Sequence, residues 1–365
     1  MPYRVLVGHL RSGRVVAELP GEYTFEDTLD GAGSGRATIP IDAVPEVLDL
    51  AAVTEKWRHF LAIVRGGHVV WAGPIVTRKP NANGSLEVGA SGLAAVFEHR
   101  VLARFGPWEF TDPRADVILT GRSLRSIAVE IVRTALNRPH GELPIVLPDM
   151  DPTGGEERRY FGHELAMAGQ RLQQLSKEEN GPEVQFTPRF RADGLGVEWV
   201  MRVGDPYLTQ AGARWHFDHG AGLVSWNWDD DGQNQASSVF VPGDGTERGR
   251  LIGHAQDDHL LDAGWPPLDT VVSDFASVKD PAVLSNHARA SLTAYRAGVH
   301  KDTAVVRGDH PPTPGTYRPG DLVVLLPRPS RLTPAGPRVR RITGISRQGG
   351  GSEDTLELTL APIPT

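Results

Sequence analysis

The 365-residue sequence has no cysteine, which excludes disulfides, thiolate-held zinc and cysteine nucleophiles. It also lacks a basic excess. Lysine and arginine number 38 against 45 acids, a net charge of −7, and this argues against a dedicated nucleic-acid binder with a basic face. No apolar run approaches the roughly 18 residues that cross a bilayer, so no membrane partner is expected. The opening Met1 to Val7 has no signal-peptide apolar core, and synthesis in a cytoplasm without export by the usual routes is expected.

Several catalytic patterns are missing as well. There is no G-x-x-x-x-G-K-[ST] phosphate loop. Gly243-Asp244-Gly245 follows an apolar run, but Gly249 falls one position too late for a dinucleotide fingerprint, and a β-turn is the better reading. His163-Glu164 opens like a metalloprotease helix, yet Met167 stands where the second histidine belongs. Gly89-Ala90-Ser91-Gly92 stops one residue short of a nucleophile elbow. His216, Asp218 and His219, and likewise His254, Asp257, Asp258 and His259, supply ligand types for a divalent cation. Both groups sit in polar, turn-like sequence without a recognised ligand spacing, and read as solvated loops. No cofactor, metal or enzymatic activity is expected.

What is present is turn chemistry and short apolar runs. Glycine (41) and proline (29) are abundant, while hydrophobic residues make up 39% and charged residues 23%. These values describe a globular, β-rich chain long enough for several domains. Residues 1–105 read as a succession of antiparallel strands, including Arg36 to Ile41 with Ala37, Ile39 and Ile41 on one face, and a hairpin across Gly66-Gly67. A short helix interrupts at Val44 to Val53. Residues 106–182 form an α+β section: Ser123 caps a helix lined by Leu124, Ile127, Ala128, Ile131, Val132 and Ala135, and a second helix covers Glu164 to Glu179. Residues 183–260 are mainly β, beginning with a hairpin across Asp193-Gly194. Residues 261–365 open with a helix capped by Asp280 and started by Pro281, then return to strands. The expected fold is mainly β with α+β insertions, a small β-barrel at each end flanking two mixed domains.

Two compositional features invite functional readings. Trp71, Trp199, Trp215, Trp226, Trp228 and Trp265 are candidate sugar-stacking platforms, so a carbohydrate-binding or carbohydrate-active β protein is the alternative function; core or interface packing is the plainer account. Between Ser225 and Asp262 eight acids face two arginines, which concentrates a charge of −6 in one stretch. Its members Asp229, Asp230, Asp231, Asp244, Glu247, Asp257 and Asp258 are either a solvated face or a wall that lies near a polyanion without adhering to it.

The order of the sections and several local strings resemble the minor tail proteins of long-tailed actinobacterial phages that form the baseplate or tail-tip hub. The strings are Thr28 to Asp42 (TLDGAGSGRATIPID), Trp57 to Arg65, Val70 to Val76 (VWAGPIV), Leu136 to Pro139, Val239 to Gly245, Ser277 to Asp280, Arg318 to Val324 (RPGDLVV) and Arg341 to Ile345 (RITGI). They are turn and strand signatures spread over the whole chain.

The resemblance implies a non-catalytic hub similar to that of contractile tails. Related first and last β-barrels would pair in a homotrimer to give a pseudo-sixfold ring. That ring would join the hexameric tail tube to a threefold tip in the tail of a siphophage virion. Implied partners are a second and third copy, a distal tail protein or the tail tube, the tape measure protein, and other minor tail or fibre proteins. Genomic DNA would pass through without specific binding, beside the acidic stretch if that stretch reaches the lumen. The chain is expected to end about where the last barrel does, leaving enzymatic or receptor-binding roles to partner chains.

Overall fold

The computed structural model describes residues 2–29, 31–151, 153–275, 278–296, 299–347 and 354–363; Asp30 and Ser277 of the strings above lie outside them. The first section contributes β1 (Tyr3–His9), β2 (Val15–Leu19), β3 (Glu22–Thr28), β4 (Ser34–Pro40), the single-turn α1 (Leu50–Val53), β5 (His59–Arg65), β6 (His68–Asn81) and β7 (Ser85–Ser91). There follow β8 (Val117–Arg122), α2 (Leu124–Leu136), β9 (Ile145–Val146), β10 (Glu156–Tyr160) and α3 (Ala168–Ser176). The next stretch holds β11 (Val184–Phe190), β12 (Val197–Val203), β13 (Trp215–Asp218), β14 (Leu223–Asp231), β15 (Ser238–Pro242) and β16 (Ile252–Gln256). The chain closes with α4 (Asp258–Asp262), β17 (Asp269–Val271), α5 (Pro281–Tyr295), β18 (Val299–Arg307), β19 (Leu322–Leu326), β20 (Arg338–Arg347) and β21 (Thr355–Ala361).

These elements gather into two compact units. The first comprises Met1–Ser176, Gly181–Trp226 and Ala304–Thr365; the second comprises Lys177–Asn180 and Asn227–Thr303. β14 and β18 carry the chain from one unit to the other.

Strands from both ends of the sequence share the first unit. Among the described residues, the main sheet has thirteen strands on the path β14-β18-β21-β20-β3-β4-β7-β6-β5-β1-β2, with β19 branching from β20 and β13 from β19. The antiparallel β3–β20 pair, with Thr28 opposite Gly344 and Phe25 opposite Arg347, is the seam between the two ends. The described pairings follow an open path, and closed barrels are not among them.

One core underlies that seam: Val7, Phe25, Ile39 and Trp71 from the first section pack with Ile342, Leu356 and Leu358 from the last. β5 explains its own composition. Leu61 and Ile63 enter this core while Phe60, Ala62 and Val64 enter another on the opposite face, so the strand is a continuous apolar run with no polar alternation. The hairpin β11–β12 supplies Val197 and Trp199 to that second core, and the Trp199 ring meets Phe60 edge-on at 5.6 Å. A third core joins α2 and α3 to β8 and Met201.

α2 begins where Ser123 accepts a hydrogen bond from the Ser126 N–H at 3.1 Å, a cap that contributes about 1 kcal/mol. Its residues Ile127, Ala128, Ile131, Val132 and Ala135 are all buried, as their spacing requires. In the second unit, Asp280 accepts from the Ala282 N–H at 2.8 Å to start α5. Leu284, Ala288 and Leu292 of that helix then cover Val239 and Val241 of β15 and Ala255 of β16.

The structure departs from the sequence reading at several points. The helix expected over Glu164 to Glu179 is confined to Ala168–Ser176, because Leu165 takes a left-handed φ of 49° that closes a preceding 3₁₀ turn. Only Leu50–Val53 of the Val44 to Val53 stretch is helical, started by Asp49 beyond Pro45. Ile41 leaves the face of Ala37 and Ile39 for an exposed 3₁₀ turn, since Pro40 ends β4. The sequence reading marks no strand at β8, β9, β10, β16 or β17. The Glu156–Tyr160 strand has little apolar character of its own and is fixed by antiparallel pairing with β8.

Candidate functional site

All seven acids of the anticipated acidic face lie in the second unit. Asp229, Asp230 and Asp231 end β14, the first two exposed and the third half-buried. Asp244 and Glu247 sit in the connection between β15 and β16. Asp257 and Asp258 sit at the opposite end of that hairpin, where Ser238 pairs with Gln256. Five-residue strands separate these two groups by roughly 14 Å, so the stretch is not one patch.

Several of these carboxylates have local work. Asp257 caps α4 by accepting from the N–H groups of His259 and Leu260. Asp258 accepts from Gln256 Nε2 at 2.6 Å, and Asp231 accepts from the Gln233 N–H at 2.8 Å. Asp244 lies 4.0 Å from exposed Lys279, a pair that contributes little in water.

The histidine groups are equally dispersed. His216 and Asp218 are exposed on β13, whereas His254 stacks on Phe240 and shares a hydrogen bond with Ser238 at 3.0 Å. Among the described residues, no group of three or more histidine, aspartate or glutamate side chains could hold a metal ion. Among them too, no helix is long and apolar enough to cross a membrane. Of the candidate sugar platforms, Trp71 and Trp199 are sealed in cores and Trp226 packs against one. Trp215 donates its indole N–H to Asp321 at 3.1 Å, which leaves Trp228 and Trp265 as the exposed rings.

Position within the strings of the sequence explains more than chemistry does. In Val70 to Val76, Trp71 and Ile75 are buried, Ala72 accepts the Trp199 indole N–H at 3.2 Å, and a β-carbon on Gly73 would collide with the Ser91 carbonyl. The string is a packing seam between two cores. In the last section, Arg341 is buried and makes a two-pronged ion pair with Glu183, whose Oε2 also accepts the Leu208 N–H at 2.8 Å. Arg202 donates to Asp321 Oδ1 at 3.2 Å and to the Pro319 carbonyl at 3.1 Å. These bonds tie the β11–β12 hairpin to the Arg318 to Val324 and Arg341 to Ile345 strings.

A second network lies where the chain ends meet. Asp354 pairs with Arg65 on β5 and with Arg347 on β20. Both guanidiniums lie over the Tyr3 ring, at 4.9 and 4.8 Å from its centre. The sequence reading missed both networks. Their ion-pair partners are more than a hundred residues apart, apart from Arg347 and Asp354, and β20, with four arginines among its ten residues, gives no local sign that Arg341 is the buried one.

Half-buried Asp27 on β3 completes the first network by accepting from Gln185 Nε2 at 3.4 Å. Burial pushes its carboxyl up to about 7, against the opposing pull of Arg318, the Gln185 hydrogen bond and Arg202. The folded chain therefore keeps this proton to about pH 7, while the unfolded chain releases it near the ordinary value of 3.8. Between these limits the native state binds more protons, so stability falls as pH rises. Asp27→Asn removes that slope. Chemical denaturation should find the variant close to wild type at pH 4 and more stable at pH 8, by a few kcal/mol at roughly 1.4 kcal/mol for each unit of the shift.

No family model matches the sequence, and no curated protein matches it. Solved structures do. The 43 kDa tail protein of prophage MuSo2 from Shewanella oneidensis superposes with a TM-score of 0.61 at 11% identity, over 98% of each chain. A tail protein from Neisseria meningitidis gives 0.60 at 16% identity, over 99% of this chain and 96% of that one. Prophage tail protein gp18 from Listeria monocytogenes gives 0.53 at 11% identity, over 98% and 94%. At such identities the likeness establishes the fold, and it does so from one end of the chain to the other.

Proposed function

We propose that this chain is a structural, non-catalytic component of a phage tail, placed at the baseplate or tail tip. The observation that carries the reading is end-to-end similarity to three tail proteins, two of them from prophages, with 94–98% of each neighbour covered. In finer terms, it is the hub of a siphophage of actinobacterial type. Three copies form a ring that joins the hexameric tail tube or a distal tail protein to a threefold tip. The tape measure protein and other minor tail or fibre proteins are its further neighbours.

Strand composition supports the ring. The β3–β20 seam divides the main sheet into β3-β4-β7-β6-β5-β1-β2 on one side and β14-β18-β21-β20 with β19 and β13 on the other. Two β-halves of similar size in each subunit are what a trimer needs to present six comparable surfaces to a hexamer. We assign them to the two barrel-type domains of the hub, with 106–182 and 183–260 as the inserted domains, the latter lending β13 and β14 to the second half. Pairing strand edges between copies would also cover hydrogen-bonding edges that otherwise aggregate.

In this reading the acids Asp229, Asp230, Asp231, Asp244, Glu247, Asp257 and Asp258 face the DNA passage or a subunit interface. Duplex DNA carries one charge per about 1.7 Å, so carboxylates beside it prevent adhesion while cations arrest it. Converting Asp257 and Asp258 to lysine in the intact virion should slow genome ejection, measured in bulk by dye accessibility of released DNA, and salt should relieve the effect. Unchanged ejection in virions that still carry the variant would remove these two acids from the passage.

A further inference from the structure

In the first unit, the β11–β12 hairpin and the segment leading into β19 border an open cleft of about 370 Å³. Three arginines line it, Arg189, Arg202 and Arg318, with one carboxylate, Asp321, beside Thr187 and Trp215. The carboxylate is already spent. Its Oδ1 accepts from Arg202, and its Oδ2 accepts from the Trp215 indole and the Arg318 backbone N–H. Arg189 is paired with Glu198 at 2.8 Å.

Arg318 differs from the other two. Its charged neighbours are Arg202, Asp321, Asp27 and Arg189, yet among the described residues its guanidinium has no hydrogen-bond or ion-pair partner. Burial lowers its pKa, with the like charge of Arg202 adding to the effect and Asp321 and Asp27 opposing it, which marks a cation short of solvent. The nearby acid Asp27 offers only part of a charge near neutrality, since its own carboxyl is pushed up to about 7. On the same wall Thr187 is 7% exposed, and its hydroxyl has no hydrogen-bond partner. An unspent guanidinium fork on an open cleft is a recognition site for a carboxylate, and the orphaned Thr187 hydroxyl beneath the wall adds an unmet polar group beside it.

The cleft is larger than a bare ion needs, and its Val200 and Trp215 surfaces suit the apolar parts of a peptide. The chain carries such a segment itself, in the second unit: exposed Trp228 followed by Asp229, Asp230 and Asp231 at the end of β14. We propose that the Arg318 cleft of one copy receives the Asp229–Asp231 run of a second copy. The two surfaces are unlike, so the contact is head-to-tail, the kind that closes into a ring when the rotation divides the circle. The inference rests on the ring reading above and gives it a specific contact.

Sedimentation of the full chain over a range of concentrations tests both. Wild type should associate, and Arg318→Glu alone, or Asp229→Lys with Asp230→Lys and Asp231→Lys alone, should weaken association at least about tenfold. Combining the two sets in one chain restores opposite charges at every contact and should restore association. Arg318→Gln adds no carboxylate beside Asp27 and Asp321; it should also weaken association, and it keeps the test readable if the glutamate variant does not fold. A wild type that stays monomeric overturns the ring and this contact together. An associating wild type whose Arg318 variants associate equally well overturns the contact alone, and so does a combined variant that folds without recovering; in both cases another acidic segment or a free anion is the occupant.

Discussion

Replacing Glu183 with alanine lowers the stability of the first unit by about 3–5 kcal/mol, because it strands the Arg341 guanidinium without its counter-charge. Arg341 is buried at 4% exposure on β20, and Glu183 also holds the Leu208 N–H. Its other hydrogen bond, to the Leu208 carbonyl at 3.0 Å, cannot neutralise the charge. The loss is mostly the penalty of an unpaired buried ion rather than the worth of the pair. Glu183→Leu combined with Arg341→Met therefore recovers much of it, as the removal of both charges relieves the desolvation cost. Urea denaturation followed by tryptophan fluorescence reads this directly, since six of the eight tryptophans belong to the first unit. A single variant that unfolds with wild type would mean that Arg341 finds water or another carboxylate.

Trp71→Ala should cost a similar amount, about 3–5 kcal/mol, through the cavity left in the core that joins the two chain ends. Trp71 is 2% exposed, and a β-carbon built on Gly35 of β4 would overlap its six-membered ring. The indole thus occupies space that only glycine leaves open. Gly35→Ala should consequently destabilise the wild type by about 1–3 kcal/mol through overpacking, and far less in a Trp71→Leu background. Additive losses in that double variant would show that the two residues do not share the space, and the seam assigned to the Val70 to Val76 string would be wrong.

Local structure was legible in the sequence wherever its cause is local. The Gly66-Gly67 turn, the Ser123 and Asp280 caps and the helical spacing of Ile127 to Ala135 involve neighbours within a few residues, and each forms as read. β10 was invisible because Glu156 to Arg159 become a strand only through β8. The seam between β3 and β20 joins residues some 300 positions apart, and no periodicity encodes a partner at that distance. The same limit hid the Glu183–Arg341 and Asp354–Arg65 pairs. The acidic stretch shows the converse. It is continuous in composition, but the β15–β16 hairpin sends Asp244 and Glu247 to one end and Asp257 and Asp258 to the other. Charge density along a sequence is not charge density on a surface.

The most direct test of the hub reading is the symmetry of the purified chain, obtained by electron microscopy together with a solution mass. The account predicts a ring of three times the 39.6 kDa chain, with threefold averages whose inner layer shows six similar β-densities. Monomers at every concentration, or a closed ring of another order, would contradict it.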